Sequence, residues 1–306
     1  MMPEQDRARA ASPKRLFDES FLRRLEQLAL LSRRAISGRT QGERRSPKRG
    51  QSVEFADFRP YVPGDDFRRI DWNAYARLER FFIKLYVEEQ DQTVHFLVDT
   101  SQSMDWGDPH KLWYALRAAG ALGYIALAGL DRVAVQAVGS VQGQGAARFA
   151  ARRGRQHATA LFHFLETLEP KGRAALGEGL ARYASVVRLP GPVVLLSDLM
   201  DESWESGLRA LASRGFDVTV LHILSPDEVR PDLAGDLKLV DVETQYEVPV
   251  TVDYDTLQRY RRRLEDWQTE LRTFCGARDM SYIPVETSLP LEELLFSGLR
   301  HARVLG

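Results

Sequence analysis

The stretch Thr93–Met104, TVHFLVDTSQSM, decides how the rest of the chain is read. Apolar and β-branched residues (Val94, Phe96, Leu97, Val98) run up to an acid, Asp99. The hydroxyls Thr100, Ser101 and Ser103 follow, then a polar loop from Asp105 to Pro109. A short apolar run that stops at a polar loop reads as a buried strand, and open α/β sheets present ligands at the edge where such strands end. In a tight loop the alternate residues 99, 101 and 103 turn their oxygens toward one point. One carboxylate and two hydroxyls make a hard, oxygen-only half-shell, suited to Mg²⁺ or Mn²⁺ rather than zinc. A helix expected to begin near His110 aims its amino end at this loop and favours an anion completing the shell.

The same logic recurs downstream. In GPVVLLSDLMD an apolar run, Val193–Leu196, ends at Ser197 and Asp198, and FDVTVLHIL supplies a third such strand. A strand RVAVQAV follows Asp131, and Gly143 and Gly145 suggest a hairpin to the stretch around Phe149. Helical patterns fill the intervals, at Lys111–Leu130, at His157–Leu168, from Leu176, and at Trp204–Ser213. Alternation of buried strands with helices predicts an α/β fold, a mostly parallel Rossmann-like sheet with helices on both faces. Leu237–Val252 reads as a β-ribbon, Asp253–Phe274 as a long basic helix, Met280–Val285 as a last strand and Pro290–Arg300 as a closing helix. Parallel strands bring Asp99 and Asp198 to one edge, so Asp99, Ser101, Ser103 and Asp198 are the candidate metal-ligating and partner-binding residues.

Ahead of this domain the pattern changes. Residues 1–15 are polar and read as a disordered tail. Asp18–Ile36 repeats apolar residues at helical spacing with arginines opposite, and residues 37–51 form a basic loop. Val53, Phe55 and Phe58 suggest a strand, Pro63-Gly64 a turn, Asp71 a cap for a short helix at Trp72, and Phe81–Val87 a further strand. The expected organisation is a 1–15 tail, a 16–92 helix-and-strand extension and a 93–306 sheet domain. The interleaved Asp65, Asp66, Arg68, Arg69, Asp71 and Arg77 read as a salt-bridged brace, and the PGDD and IDW segments carry no assignable chemistry.

Composition bounds the function. The 306 residues are 44% hydrophobic and 28% charged, with a formal net charge of -1, so general affinity for polyanions is excluded. Cys275 is the single cysteine, which rules out an internal disulfide or a cysteine-based zinc site and points to a reducing, cytoplasmic setting. The amino terminus has no apolar run of the secretory type, and ALGYIALAGL at 121–130 is too short to span a bilayer.

Read more widely, RRSPKRGQSVEFADFRPYVPGDDFRRIDWNAYAR at 44–77 and LVDTSQSM at 97–104 resemble the domain of unknown function 58 family. GRQH at 154–157 and LVDVET at 239–244 extend the resemblance over nearly the whole chain. Asp99-x-Ser101-x-Ser103 with Asp198 resembles the metal-ion-dependent adhesion site of von Willebrand factor A domains. The resemblance implies a von Willebrand A-like domain without established enzymatic activity. It also implies work with a MoxR-type AAA+ ATPase in maturing or remodelling a client protein. The adhesion-site motif adds a threonine between the two acids, and the family often has Gly-Gly-Thr-Asp there. This chain reads Lys171-Gly172-Arg173-Ala174-Ala175-Leu176. The lost hydroxyl weakens a divalent ion's hold, and the Arg173 guanidinium is a candidate to replace the ion or to meet a partner.

Two other chemistries are open to this sequence. A phosphohydrolase would use Asp99 as nucleophile, Asp198 and Asp201 to hold Mg²⁺ and Lys171 to steady a phosphoryl group. That chemistry needs a second acid two residues after the nucleophile, where this chain has Ser101. Anion or nucleic-acid binding through Arg39–Arg49 lacks the aromatic residues that stack bases. No Gly-x-Ser-x-Gly turn, metal-spaced histidine pair or phosphate-cradling loop occurs, and His95 within its strand reads as packed. The expectation is a cytoplasmic, non-enzymatic protein-binding module with Mg²⁺ or Mn²⁺ as its candidate ion, no nucleic acid and no transmembrane segment.

Overall fold

The computed structural model describes residues 16–26, 53–62, 65, 67, 70–88, 92–140, 147–172, 174–240 and 246–295. Two compact units divide the chain, residues 40–92 and residues 1–39 together with 93–306.

In the smaller unit β1 (Val53–Pro60) pairs antiparallel with β2 (Phe82–Glu88). The short helix α2 (Trp72–Leu78) starts where the Asp71 carboxylate accepts from the Asn73 and Ala74 amides at 2.9 and 3.3 Å, as a capping acid should. Tyr75 stacks on Phe81 with ring centroids 4.4 Å apart. The ionic brace uses a residue outside the expected set. Arg59 forks onto Asp65 at 2.6 and 2.8 Å. Asp66, Arg68, Arg69 and the Pro63-Gly64 turn lie outside the described residues.

The larger unit is built on one sheet. Its strands are β3 (Thr93–Asp99), β4 (Arg132–Ser140), β5 (Arg148–Arg153), the two-residue β6 (Ala174–Ala175), β7 (Pro192–Ser197) and β8 (Asp217–Leu224). A ribbon of β9 (Gly235–Val240) and β10 (Glu247–Val252) stands apart, and β11 (Ser281–Glu286) completes the sheet. Spatial order is β11-β8-β7-β3-β4-β5, parallel throughout except for β5, while β6 pairs antiparallel with the end of β4. Successive connections leave β3 toward β4 and then return to its other side at β7. The strand order therefore reverses between β3 and β7, which is where doubly wound sheets open a crevice for ligands.

Side chains alternate across the sheet. Val94, Phe96, Val98, Val194, Leu196, Leu221 and Ile223 enter one core, and Leu97, Val193, Leu195, Val218 and Val220 enter the other. The first core is covered by α3 (Lys111–Ala128) and α4 (Ala158–Glu166). The second is covered by α5 (Leu176–Val186), α6 (Trp204–Ser213) and the end of α8 (Tyr254–Gly276). Strands buried on both faces give the continuous apolar runs seen in the sequence. This is the von Willebrand A-like α/β architecture that the resemblance implies.

The expected amino-terminal helix belongs to this larger unit. Residues 19–26 are helical (α1), and Phe17, Phe21 and Leu25 are buried in the first core. Gly120 makes the room, since a Cβ there would lie 2.4 Å from the Phe17 ring. Phe17 in turn stacks on Phe162 at 4.5 Å. The 16–92 stretch is thus two pieces, a helix on the sheet unit and a separate β1–α2–β2 unit. The continuation of α1 toward Ile36 and of the closing helix beyond residue 295 lies outside the described residues. What is described of the latter is α9 (Leu291–Glu293) and the buried Leu294 and Leu295. No helix among the described residues is long and apolar enough to cross a membrane.

Phe21→Ala is expected to cost the sheet unit about 3–5 kcal/mol, the usual loss for emptying a buried aromatic site. Urea unfolding followed by tryptophan fluorescence measures it, and an unchanged midpoint would detach α1 from the core.

Candidate functional site

Because β3 and β7 are neighbours and end together, Asp99 and the Ser197-Asp198 pair meet at the point where the strand order reverses. Asp99 faces inward. Its Oδ2 accepts from the Ser197 hydroxyl at 2.5 Å and its Oδ1 from the Ser101 amide at 2.9 Å. Gly139, at φ +85°, admits this arrangement, because a Cβ there would stand 2.1 Å from Asp99 Oδ1. Burial, reinforced by the nearby Asp198 charge, pushes the Asp99 carboxyl up to about 6 despite the hydrogen bonds from Ser197 and Ser101.

The other expected residues form a linked row. Ser101 and Ser103 place their hydroxyl oxygens 2.9 Å apart, and Ser103 Oγ donates to Asp198 Oδ1 at 3.3 Å. The Met200 amide donates to the same oxygen at 3.2 Å. Ser103 is half-buried and brings the row to the surface, with Trp106 and Met200 exposed in the two loops.

The second oxygen of Asp198 holds a partner that the sequence did not single out. Lys111, the first residue of α3, is 1% exposed and donates to Asp198 Oδ2 at 2.7 Å and to Glu228 Oε1 at 2.5 Å. Burial alone would lower the ammonium's pKa, but Asp198 and Glu228 outweigh it and the pKa is raised. Glu228 is itself fixed, its Oε2 accepting the Ser225 amide at 2.7 Å in the capping box of α7 (Pro226–Val229). His222 braces Asp198 from β8. Its Nε2–H donates to the Asp198 carbonyl at 3.1 Å, while Nδ1 accepts from the Tyr282 hydroxyl at 2.7 Å. Both ring nitrogens are satisfied by the neutral form, and burial pushes this imidazole down to about 4. A lysine opening an otherwise apolar helix was the available signal. Helix amino ends disfavour cations, so it needed acids nearby.

The loop between the two acids leans on the site through its backbone. The Lys171 amide donates to the Thr100 carbonyl at 2.8 Å, and the Gln102 amide to the Gly172 carbonyl at 3.2 Å. Arg173 lies outside the described residues, and Ala174-Ala175 form β6 without a hydroxyl to offer. The phosphohydrolase set is not assembled. Asp201 accepts the amides of Leu176 and Ser203 at 2.5 and 2.7 Å, and the Lys171 ammonium pairs with Glu169 at 3.1 Å. The loop Arg39–Arg49 is outside the described residues.

Whether Mg²⁺ or Mn²⁺ fits can be judged from the oxygens. The Ser101–Ser103 spacing matches the edge of an octahedron with bonds of about 2.0–2.1 Å. Against that, both Asp99 oxygens are turned inward, Asp198 Oδ2 is occupied by Lys111, and no hydroxyl comes from Ala174 or Ala175. Among the described residues no three His, Cys, Asp or Glu side chains gather around one point. The donor set does not fit a divalent ion.

A family model described as "Protein of unknown function DUF58" matches residues 57–272, which include the whole cluster. The chain belongs to the DUF58 family. Among its relatives, the uncharacterized protein Rv1480 of Mycobacterium tuberculosis (strain ATCC 25618 / H37Rv) is 30% identical over 236 residues. That match spans 74% of this chain and 72% of Rv1480. Solved structures similar to this DUF58 chain include the conserved hypothetical protein BatB from Bacteroides thetaiotaomicron, 15% identical with a TM-score of 0.40. The match covers 69% of this chain and 99% of BatB. A von Willebrand factor type A protein from Catenulispora acidiphila is 17% identical with a TM-score of 0.40, covering 74% and 44% of the two chains. The fold of the DUF58 chain rests on its own strand order.

Two outcomes follow from this geometry. Gly139→Ala combines a left-handed backbone with a clash on Asp99 and should cost more than about 2 kcal/mol, read as a lowered urea midpoint. The second concerns pH. Burial holds both His95 and His222 at about 4, against 6.5 for an ordinary histidine, so the unfolded chain takes up protons first as pH falls from 6.5. Their stabilisation is full above 6.5 and is lost on the way down to about 4. Asp99, raised to about 6 from 3.8, works in the opposite sense with one proton against two. Net stability should therefore fall with pH across that window. His95→Gln, which keeps an acceptor for the Tyr183 hydroxyl now 2.6 Å from His95 Nδ1, should flatten the slope by about 1.4 kcal/mol per pH unit.

Proposed function

We propose that this DUF58 protein is a non-catalytic protein-binding module whose docking edge is the row Ser101–Ser103–Asp198. The observation that carries the reading is the hydrogen-bonded convergence of these residues from two strands onto the edge where the sheet order reverses. An acidic side chain of a partner takes over the half-buried Ser103 hydroxyl, whose bond to Asp198 Oδ1 is long at 3.3 Å, and the exposed Trp106 and Met200 in the same loops supply apolar contact beside it. The partner is a MoxR-type AAA+ ATPase, which provides the ATP hydrolysis for remodelling a client that the module presents. The family resemblance supports that pairing, and the inward engagement of Asp99 favours docking over catalysis at this edge.

The test is the affinity between the purified chain and the MoxR-type ATPase of the same organism, measured by biolayer interferometry. Ser103→Asp sets a negative charge against an incoming carboxylate and should weaken binding about tenfold or more, whereas Ser185→Asp on the exposed face of α5 should leave it unchanged. Equal binding by both variants would remove the docking edge.

A further inference from the structure

Lys111 stands where its charge needs explaining. It opens α3, and the amino end of a helix repels cations. Its side chain is 1% exposed, so it exchanges full hydration for two carboxylates, one from the loop after β7 and one from α7. Those carboxylates are prearranged by the backbone, Asp198 through the Met200 amide and Glu228 through the Ser225 amide. Nζ lies 2.7 and 2.5 Å from the two oxygens, the short contacts of charge-assisted hydrogen bonds. Two fixed acids and one enclosed position make a cation site, and the ammonium fills it.

We infer that Lys111 is the resident cation of this edge, held between Asp198 and Glu228, so that the Ser101–Ser103–Asp198 row works without a divalent ion. The docking half of this statement rests on the function proposed above. The cation half stands on its own geometry. Asp198 keeps one oxygen for Ser103 and gives the other to Lys111. A divalent ion at the serines would face the ammonium across one carboxylate and would have to displace it or bear its repulsion. Cutting the side chain back to methionine removes the charge but keeps most of the apolar stem. It leaves Asp198 and Glu228 facing an empty, negatively charged position.

Titration of the full chain with Mn²⁺, followed by calorimetry and by the thermal unfolding midpoint, tests the assignment. The natural chain should show no saturable site up to about millimolar Mn²⁺, and its midpoint should be the same with Mn²⁺ or with chelator. Lys111→Met should gain one site per chain, bound about tenfold or more tightly, with a midpoint that rises with Mn²⁺. Should Lys111→Met fail to fold alone, recovery of native circular dichroism on adding Mn²⁺ carries the same meaning. Saturable binding by the natural chain that Ser103→Ala abolishes would overturn the inference. So would a Lys111→Met protein that neither binds Mn²⁺ nor recovers with it, which would trace weak ion binding to the missing threonine instead. Neither result bears on the Ser103→Asp affinity test, so failure of the cation assignment is distinguishable from failure of the docking edge.

Discussion

One buried ammonium holds three separated pieces of chain together at the carboxyl edge of the sheet. Lys111 begins α3, Asp198 follows β7 and Glu228 sits in α7 beyond β8, and the two salt bridges of Lys111 tie them at one point. Forming such an ion group is not a large source of stability, because taking the charges out of water offsets most of their attraction. Its value is in geometry. Removing Lys111 leaves two facing carboxylates uncompensated in a dry site, which costs far more than the intact group contributes, so the three segments have one low-energy arrangement. The serine row inherits that order. Ser103 can aim at Asp198 Oδ1 because Oδ2 is already fixed.

Much of the frame was legible because burial writes simple patterns. The apolar runs at β3, β7 and β8 mark strands covered on both faces, and acids at the ends of two of them placed Asp99 and Asp198 on one edge. Asp71 as a helix cap could be read from its residue type and its place before a helical pattern. What could not be read was pairing. The chain has 43 acids and 42 lysines and arginines, and sequence separation does not say which of them meet. Arg173 was the candidate counter-ion because it is near the site in sequence. Arg173 lies outside the described residues, and the cation seen on Asp198 is Lys111, at the start of α3. Ser225-Pro226-Asp227-Glu228 carries a capping-box spacing that would have located α7 and so brought Glu228 to the site, but the box alone does not disclose the lysine.

The amino-terminal helix shows the same limit in apolar terms. Helical spacing revealed its greasy face, and nothing in that spacing says what the face covers. The answer lies in α3, where Gly120 and Gly123, three residues apart on one face, leave room for neighbours. Phe17 fills it at Gly120, and Leu161 of α4 does so at Gly123, where a Cβ would be 2.7 Å away. A stripe of small residues on an apolar helix is a negative image of its neighbours. Read that way, the sequence of α3 asks for bulky partners, and Phe17, Phe162 and Leu161 supply them.

The two acids at the edge end up with opposite characters although each closes a buried strand. Among the described residues Asp99 is bonded to the Ser197 hydroxyl and the Ser101 amide and to no ammonium or guanidinium. Dry surroundings and the Asp198 charge raise its carboxyl to about 6, and the Ser197 hydroxyl and Ser101 amide hold it facing the core. Asp198 meets a serine hydroxyl and an ammonium that it shares with Glu228, so its charge is partly compensated. An incoming carboxylate therefore approaches an edge where the ammonium shared by Asp198 and Glu228 has reduced their charge and Asp99 is enclosed. Without Lys111 an incoming carboxylate would meet the full charge of both Asp198 and Glu228. With Lys111 on Asp198 Oδ2, the Ser103 hydroxyl is the donor that turns from Asp198 Oδ1 to an anion under the function proposed above. That change of role follows from a single buried side chain.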